Sequence, residues 1–532
     1  MAINEALLVN AAVQVGLADA AQVGELRQVA RRNRRSLLDE LMRHYRFPQS
    51  AVFQALASLH GLPYVAAHQV VPAQEVMGKV SLATLQRRKV LPVKLGEELV
   101  LATLDPADQV ALETVNRALG RTLKPAVADP EALGFVLAAL DGGGAATPDD
   151  AFDSVSALDE VMKQAYIRRA SDIHIEPGRD YTRIRMRVDG HLQILGLRLA
   201  RNQAEALVNR IKVLAGMDIS EQRKPQDGGF SYAVQEWELP DTDLRAATVP
   251  SRWGERVTLR ILGQADSVLS LAQLGMPERI REQLQETLGH PFGMLLVTGP
   301  TGSGKSTTLY ACLRELDADD LNILTAEDPV EQTMPGITQV QIGGKVDFAA
   351  TLRSFLRHDP DVVLVGEIRD LETAETALKG SMTGHLVLST LHTNDAVSAI
   401  SRLVNLGCDR YLVGNTLVGV LAQRLVRRLC AHCKEAYGAD STVSALLGCA
   451  EGTTLYRAKG CPVCLGSGYS GRTGLYEALW IDSDLGGRIA AGLTETALCR
   501  EASYSSLWQC AAEKVLAGET ALDEVRGFAL NV

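Results

Sequence analysis

The rhythm of apolar and polar positions changes several times along the chain, and each rhythm predicts a different kind of structure. Residues 1–65 carry helical spacing in short runs, Ala20–Arg31, Ser36–His44 and Ser50–Leu59, closed by Gly61-Leu62-Pro63. From 66 to 140, strand-like runs (Val90–Val93, Leu99–Ala102) alternate with helical ones (Pro106–Ala118, Pro130–Leu140), predicting a mixed α/β region. Residues 141–152 begin Asp141-Gly142-Gly143-Gly144 and predict a flexible linker. Between 153 and 264 a helix, Ser154–Arg168, is followed by a period of two. In Tyr181–Asp189 the residues Ile184, Met186 and Val188 face one way while Arg183, Arg185 and Arg187 face the other. Similar runs at Gly229–Val234, Leu244–Val249 and Arg256–Leu262, interrupted by a helix at Gln203–Leu214, predict an α+β domain on a largely antiparallel sheet. From about 293 the alternation stops. Four continuous apolar runs, Met294–Val297, Leu321–Leu324, Val362–Val365 and Leu386–Leu388, each lead into polar residues. That is the pattern of a parallel sheet, whose ligands gather at the carboxyl ends of its strands.

Composition narrows the picture. A chain of 532 residues exceeds one core, and 46% hydrophobic with 22% charged residues suits a soluble globular protein. A net charge of −10 argues against nucleic acid as a partner. Met1-Ala2-Ile3-Asn4-Glu5 lacks the basic start of a secretory signal, and no apolar stretch approaches the ~18–20 residues of a membrane span. A cytoplasmic protein is therefore expected, with membrane attachment only through partners. The nine cysteines, an odd number in a long chain, do not form a secreted disulfide framework.

The strongest chemical signal is Gly299-Pro300-Thr301-Gly302-Ser303-Gly304-Lys305-Ser306, with Thr307 next in line. It follows a strand and opens a helix with an apolar stripe (Leu309, Cys312, Leu313, Leu316), the context a phosphate-binding loop requires. Glycines let backbone N–H groups turn onto phosphates, Lys305 reaches the β and γ oxygens, and Ser306 holds Mg²⁺. ATP is the expected nucleotide. Val362–Val365 runs into Gly366-Glu367, where Gly366 occupies the place of the usual strand-end Asp. Glu367 is then the nearest carboxylate for water or the Mg²⁺ shell; the alternative is a charge favouring the start of helix Leu371–Lys379. Glu327, Asp328 and Glu331 crowd one strand end, where mutual repulsion calls for a cation or solvent. His385 and His392 flank Leu386–Leu391, and His392 is the candidate γ-phosphate sensor. Cys430-Ala-His-Cys433 and Cys461-Pro-Val-Cys464 are two metal-biting pairs with 27 residues between them, predicting one structural Zn²⁺ in a module of about 428–475. Cys312, Cys408, Cys449, Cys499 and Cys510 read as small buried hydrophobes.

Taken together these motifs resemble one family, the hexameric ATPases of bacterial type II secretion and type IV pilus assembly. Ala170-Ser-Asp-Ile-His-Ile-Glu-Pro177, the run Arg210–Gly228, the acidic box Glu327–Glu331, Gly366–Asp370, Ser389–Asn394, the cysteine module and Gly471–Glu477 carry the likeness, from about residue 50 to the C-terminus. The resemblance implies a RecA-like P-loop core over 265–532, preceded by the α+β domain at 153–264, with residues 1–140 docking on inner-membrane platform proteins. It implies a homo-hexamer in which Arg245 and Arg260 act as fingers on a neighbour's nucleotide. It also points to Glu331 as the water-activating carboxylate, which would put Glu367 on the Mg²⁺ side, and both stay candidates for orienting the water. Driving pseudopilus assembly for secretion is the expected task; pilus extension and a nucleotide-gated scaffold are the alternatives. The chain departs from the family at Gly229, where a basic residue is common, and at Ala247, where serine is usual. Arg35-Ser-Leu-Leu-Asp-Glu-Leu41 lacks the glycine of a cyclic di-GMP-binding Arg-Leu-Gly pattern, so that ligand is not expected.

Overall fold

The helices near the amino terminus form where the chain supplies caps. Ser36 accepts the Asp39 N–H ahead of Leu37–Tyr45, and Arg46 leaves that helix in the left-handed region. The computed structural model describes residues 5–77, 79–96, 98–139, 153–234, 241–262, 269–343, 346–501 and 506–531; the predicted linker lies outside them, as does the side chain of Cys499. Two units result: Met1–Gln264 with Lys459–Gly468, and Ala265–Ala458 with Tyr469–Val532.

In the first unit, helices Glu5–Gln14, Val23–Arg32, Leu37–Tyr45 and Gln49–Leu59 bury Leu8, Leu26, Leu41 and Phe53. A four-stranded sheet follows in the order Tyr64–Val65, Lys124–Ala128, Glu98–Thr103, Val90–Leu95, so pairing begins at Tyr64. Next comes a six-stranded sheet, antiparallel throughout, ordered His191–Leu199, Thr182–Val188, Asp172–Pro177, Gly254–Ile261, Thr242–Ser251, Gln226–Tyr232. One face buries Ile173, Ile175, Ile184, Met186, Leu244 and Leu259, in a core that Leu158 and Leu207 of two helices share. Val188 is only half-buried. The other face is polar. Lys212, fully buried, donates to both carboxylate oxygens of Glu255 (2.9 and 3.0 Å) and to the Glu221 carbonyl (2.8 Å). These three acceptors offset the desolvation of the ammonium.

The second unit is built on a seven-stranded sheet ordered Thr338–Gln341, Ile323–Glu327, Val362–Val365, Leu386–Leu391, Gly293–Thr298, Leu417–Leu429, Tyr469–Trp480. All neighbours pair parallel except the last two. Every residue of Gly293–Thr298 is buried, which is why its sequence is apolar without alternation. Each aliphatic side chain in that strand contributes about 1.5–3 kcal/mol of burial. Among the described residues no helix is long and apolar enough to cross a membrane.

Candidate nucleotide site

The Gly293–Thr298 strand delivers the chain into a loop that only glycine can make. At Gly299, φ is +147° and a Cβ would lie 2.5 Å from the Gln423 carbonyl oxygen; Gly304, at φ +91°, leads directly into helix Lys305–Glu315. Lys305 is buried and folds back on the loop, donating to the carbonyls of Gly299 (2.8 Å) and Pro300 (3.1 Å). Burial lowers the pKa of its ammonium, although Glu367 opposes the shift. Ser303 Oγ is buried and has no hydrogen-bond partner among the described residues. A phosphate oxygen would satisfy such a hydroxyl, and the loop's amides and Lys305 complete a fit to a triphosphate.

A cleft of about 370 Å³ opens beside the loop, lined among others by Thr301, Ser306, Thr307, Asp328, Glu331, Glu367, His392 and Arg472. The structure thus gathers strand ends that are far apart in sequence. Lys305 Nζ approaches His392 Nδ1 at 3.5 Å, and His392 Nε2 lies 3.4 Å from Glu367 Oε2. In the Nε2–H tautomer the ring accepts from the lysine and donates to the carboxylate. Glu367 is also paired with Arg369, whose guanidinium lies 3.7 Å from Asp328. The hydrogen bond to Glu367 raises the pKa of Arg369 further.

The three clustered carboxylates of the acidic box are placed differently. Glu327 is buried and accepts from Tyr310 Oη, Thr325 Oγ1 (2.6 Å) and Gln339 Nε2 (3.0 Å). Asp328 sits near Arg369, and Glu331 is exposed on the cleft wall. Gly366 is explained by packing: a Cβ there would meet the Ala326 carbonyl oxygen at 3.2 Å and Glu327 Cα at 3.4 Å. His385 bonds the Gly380 carbonyl (2.8 Å) at the other end of its strand from His392.

Arg245 and Arg260 lie on the polar face of the six-stranded sheet, directly opposite each other in register, and both are exposed. Arg260 Nε is 3.1 Å from Asp172. Arg183, Arg185 and Arg187 pair with Glu176 and Asp172 on the same face. The ligand atoms of Cys430, Cys433, Cys461 and Cys464 lie within 4.8 Å of one another, with Cys461 and Cys464 sulfurs 3.7 Å apart. A tetrahedral zinc thiolate site has sulfur–sulfur edges of about 3.8 Å, so the cluster is compatible with zinc. The N–H groups of Cys461 (3.2 Å) and Gly468 (3.1 Å) already point at Cys464 Sγ. Of the remaining cysteines, Cys312, Cys408 and Cys510 are buried and Cys449 is half-buried.

Sequence reasoning did not assign roles to Tyr310, Arg369 or Arg472, although Arg369 and Arg472 stood inside quoted motifs. Glu477, also inside one, is structural: its two oxygens accept the N–H groups of Ala396 (2.8 Å) and Leu507 (3.2 Å) at the starts of two helices.

The family described as Type II/IV secretion system protein matches residues 149–527, and the MshEN domain matches residues 60–145. The chain is 47% identical over 381 residues to type II secretion system protein E of Pectobacterium carotovorum subsp. carotovorum, across 71% of this chain and 76% of that one. It is 36% identical over 529 residues to the type IV pilus assembly ATPase PilB of Thermus thermophilus, across 93% of this chain and 59% of that longer one. The ATPase DotB of Legionella pneumophila has a similar fold, with a TM-score of 0.53 at 22% identity over 71% of this chain and 96% of that one.

Proposed function

Because the chain belongs to the Type II/IV secretion system ATPase family, we propose that it hydrolyses ATP as a homo-hexamer, driving pseudopilus assembly for type II protein secretion. The observation that carries this reading is the convergence of Lys305, His392 and Glu367 at one cleft beside the phosphate loop.

Lys305 holds the β and γ oxygens, and the loop amides with Ser303 complete the cradle. Ser306 is the hydroxyl that would hold Mg²⁺, which supplies charge neutralisation on the phosphates. Glu331 orients the attacking water from the cleft wall, while Glu367 stands on the Mg²⁺ side with His392 between it and Lys305. Glu327 and Asp328 are the remaining acids of that wall, and Glu327, engaged by three donors, acts by holding its strand end. Arg245 and Arg260, on an exposed face, serve the nucleotide of a neighbouring protomer, where a planar guanidinium stabilises charge developing on the phosphoryl group. Cys430, Cys433, Cys461 and Cys464 hold a structural Zn²⁺. Residues 1–140 dock on inner-membrane platform proteins, which keeps the ATPase cytoplasmic and peripheral to that membrane.

Turnover of the purified ring, measured against Glu367→Gln, tests the enzyme reading. Equal, negligible rates in both would leave a nucleotide-gated scaffold in its place. Pilus extension is favoured over secretion only by the longer span matched in PilB, against the higher identity to the secretion protein. Restoring secretion in a strain lacking its own type II ATPase would support the first task; restoring only pili would support the second.

A further inference from the structure

Tyr310 stands on the helix that begins at Lys305, and its side chain is buried. At the cleft wall its phenol reaches the acidic box. Oη donates to the Glu327 carboxylate and accepts the main-chain N–H groups of Glu331 (3.1 Å) and Gln332 (3.3 Å). A phenolic oxygen has one proton and two lone pairs, so all its capacity is used. The turn around it is closed as well: Gln339 Nε2 donates to Glu327 (3.0 Å) and to the Gln332 carbonyl (2.9 Å), and Gln339 Oε1 accepts Met334 N–H (2.8 Å). Arg314, one helical turn beyond Tyr310, donates to Gln332 Oε1 (2.6 Å).

From this arrangement we infer that Tyr310 is a positioning residue for hydrolysis: its hydroxyl ties the helix carrying Lys305 to the turn carrying Glu331. The phosphate loop and the water-orienting carboxylate are thereby held in one rigid frame. Burial and the adjacent Glu327 carboxylate push the phenol well above its ordinary value, so the proton that fixes the direction of these bonds stays in place across working pH. Without the hydroxyl, two buried-side amides lose their acceptor and the turn is free to shift. A displacement of about 1 Å at a reacting group costs up to 10²-fold in rate.

This inference rests on the ATPase reading and on Glu331 as the water-orienting group, and the test separates the three. Wild-type turnover and its loss in Lys305→Ala are scored first, since they address the ATPase reading alone. Tyr310→Phe is then expected to lower kcat about 10- to 30-fold while KM for ATP stays within about twofold. In a Glu331→Gln background the same change should have almost no further effect, because the residue acts through Glu331. Glu327→Gln leaves the phenol a neutral acceptor and both amides; it should give a smaller loss, again absent in the Glu331→Gln background, and it decides the matter if Tyr310→Phe does not fold. An undiminished kcat in Tyr310→Phe overturns the inference. So does the same fold-loss in both backgrounds, which marks a merely structural role. Wild-type turnover by Glu331→Gln overturns it too, leaving the ATPase reading intact.

Discussion

The polar face of the six-stranded sheet and the carboxyl ends of the seven-stranded sheet both collect carboxylates, histidine and cations, yet they use them in opposite ways. On the first, charge neutralises charge across strands: Glu176 is held by Arg183, Arg185 and Arg256, and Asp172 by Arg187 and Arg260. Burial alone would raise the pKa of Glu176, but hydrogen bonds from Arg185 and Arg183 outweigh it and keep the group ionised. At the strand ends, Lys305 rests on two neutral carbonyls and a histidine. Phosphate oxygens outcompete those acceptors, because an anionic oxygen adds a Coulomb attraction to the ammonium that a neutral carbonyl lacks. A saturated array holds a sheet together. An array of weak partners receives a ligand.

The largest expected effect follows from that contrast. Lys305→Ala should lower turnover by at least about 10³-fold, roughly 4 kcal/mol of transition-state stabilisation, while the fold persists, since the lysine's present bonds are to its own loop. Near-normal turnover would mean that its rest position is its only role. Next in size, Arg260→Ala and Arg245→Ala should each lower turnover of the assembled ring on the order of 10²-fold, about 2.7 kcal/mol. Nucleotide binding by dilute protomers, followed with a fluorescent ATP analogue, should hardly change. Equal losses in binding and turnover would make these arginines parts of a saturated sheet face like their neighbours.

The two regions were also unequally legible in the sequence. Alternation marked Ile184 and Met186 as core and the arginines between them as the polar face, because each strand there has one wet side. It could not say that those arginines are paired, since their partners Asp172 and Glu176 sit on another strand. The strand Val362–Val365 and the loop Gly299–Ser306 were legible because the burial of a parallel sheet and the demands of a phosphate cradle each restrict residue type locally. Leu417–Leu429 was not read as a strand: it pairs with Gly293–Thr298 on one side and Tyr469–Trp480 on the other, and its sequence keeps neither period. Tyr310 went unassigned for a related reason. Its hydroxyl matters through main-chain groups 21 and 22 residues away, which leave no trace in side-chain spacing. Gly366 is legible only once Ala326 is seen beside it.

A third expectation asks whether the first unit tolerates a charge that is not neutralised. Burial, and then the neighbouring Asp129 carboxylate, push Glu131 up to about 7, and Gly196 of the edge strand His191–Leu199 leaves room for both acids. The folded chain therefore keeps a proton that the unfolded chain releases above about 4.5. Native stability should fall as pH rises through the window from about 4.5 to about 7 and level off beyond it. Glu131→Gln should flatten that slope, by on the order of 2 kcal/mol. Hydrogen-exchange protection of Lys124–Ala128, corrected for intrinsic rates at each pH, would read it. An unchanged slope would show that the acids are already neutralised by Arg168, as elsewhere in this unit.

The smallest effect is the sharpest probe of the comparison. Arg183 donates to Glu176 at 2.8 Å, but half of its side chain is exposed, and Glu176 keeps Arg185 and Arg256 when it is removed. Exposed pairs contribute about 0–1 kcal/mol, so Arg183→Ala should alter unfolding free energy by less than about 1 kcal/mol and leave turnover within about twofold. Arg260 has the same kind of setting, in register between Asp172 and Arg245, as Arg183 has between Glu176 and Arg198. If alanine at 183 slows the ring as much as alanine at 260 does, without loss of stability, then the nucleotide-facing role is not confined to the Arg245–Arg260 pair. The whole polar face would then act as a cationic surface, with its carboxylates as exchangeable counter-charges.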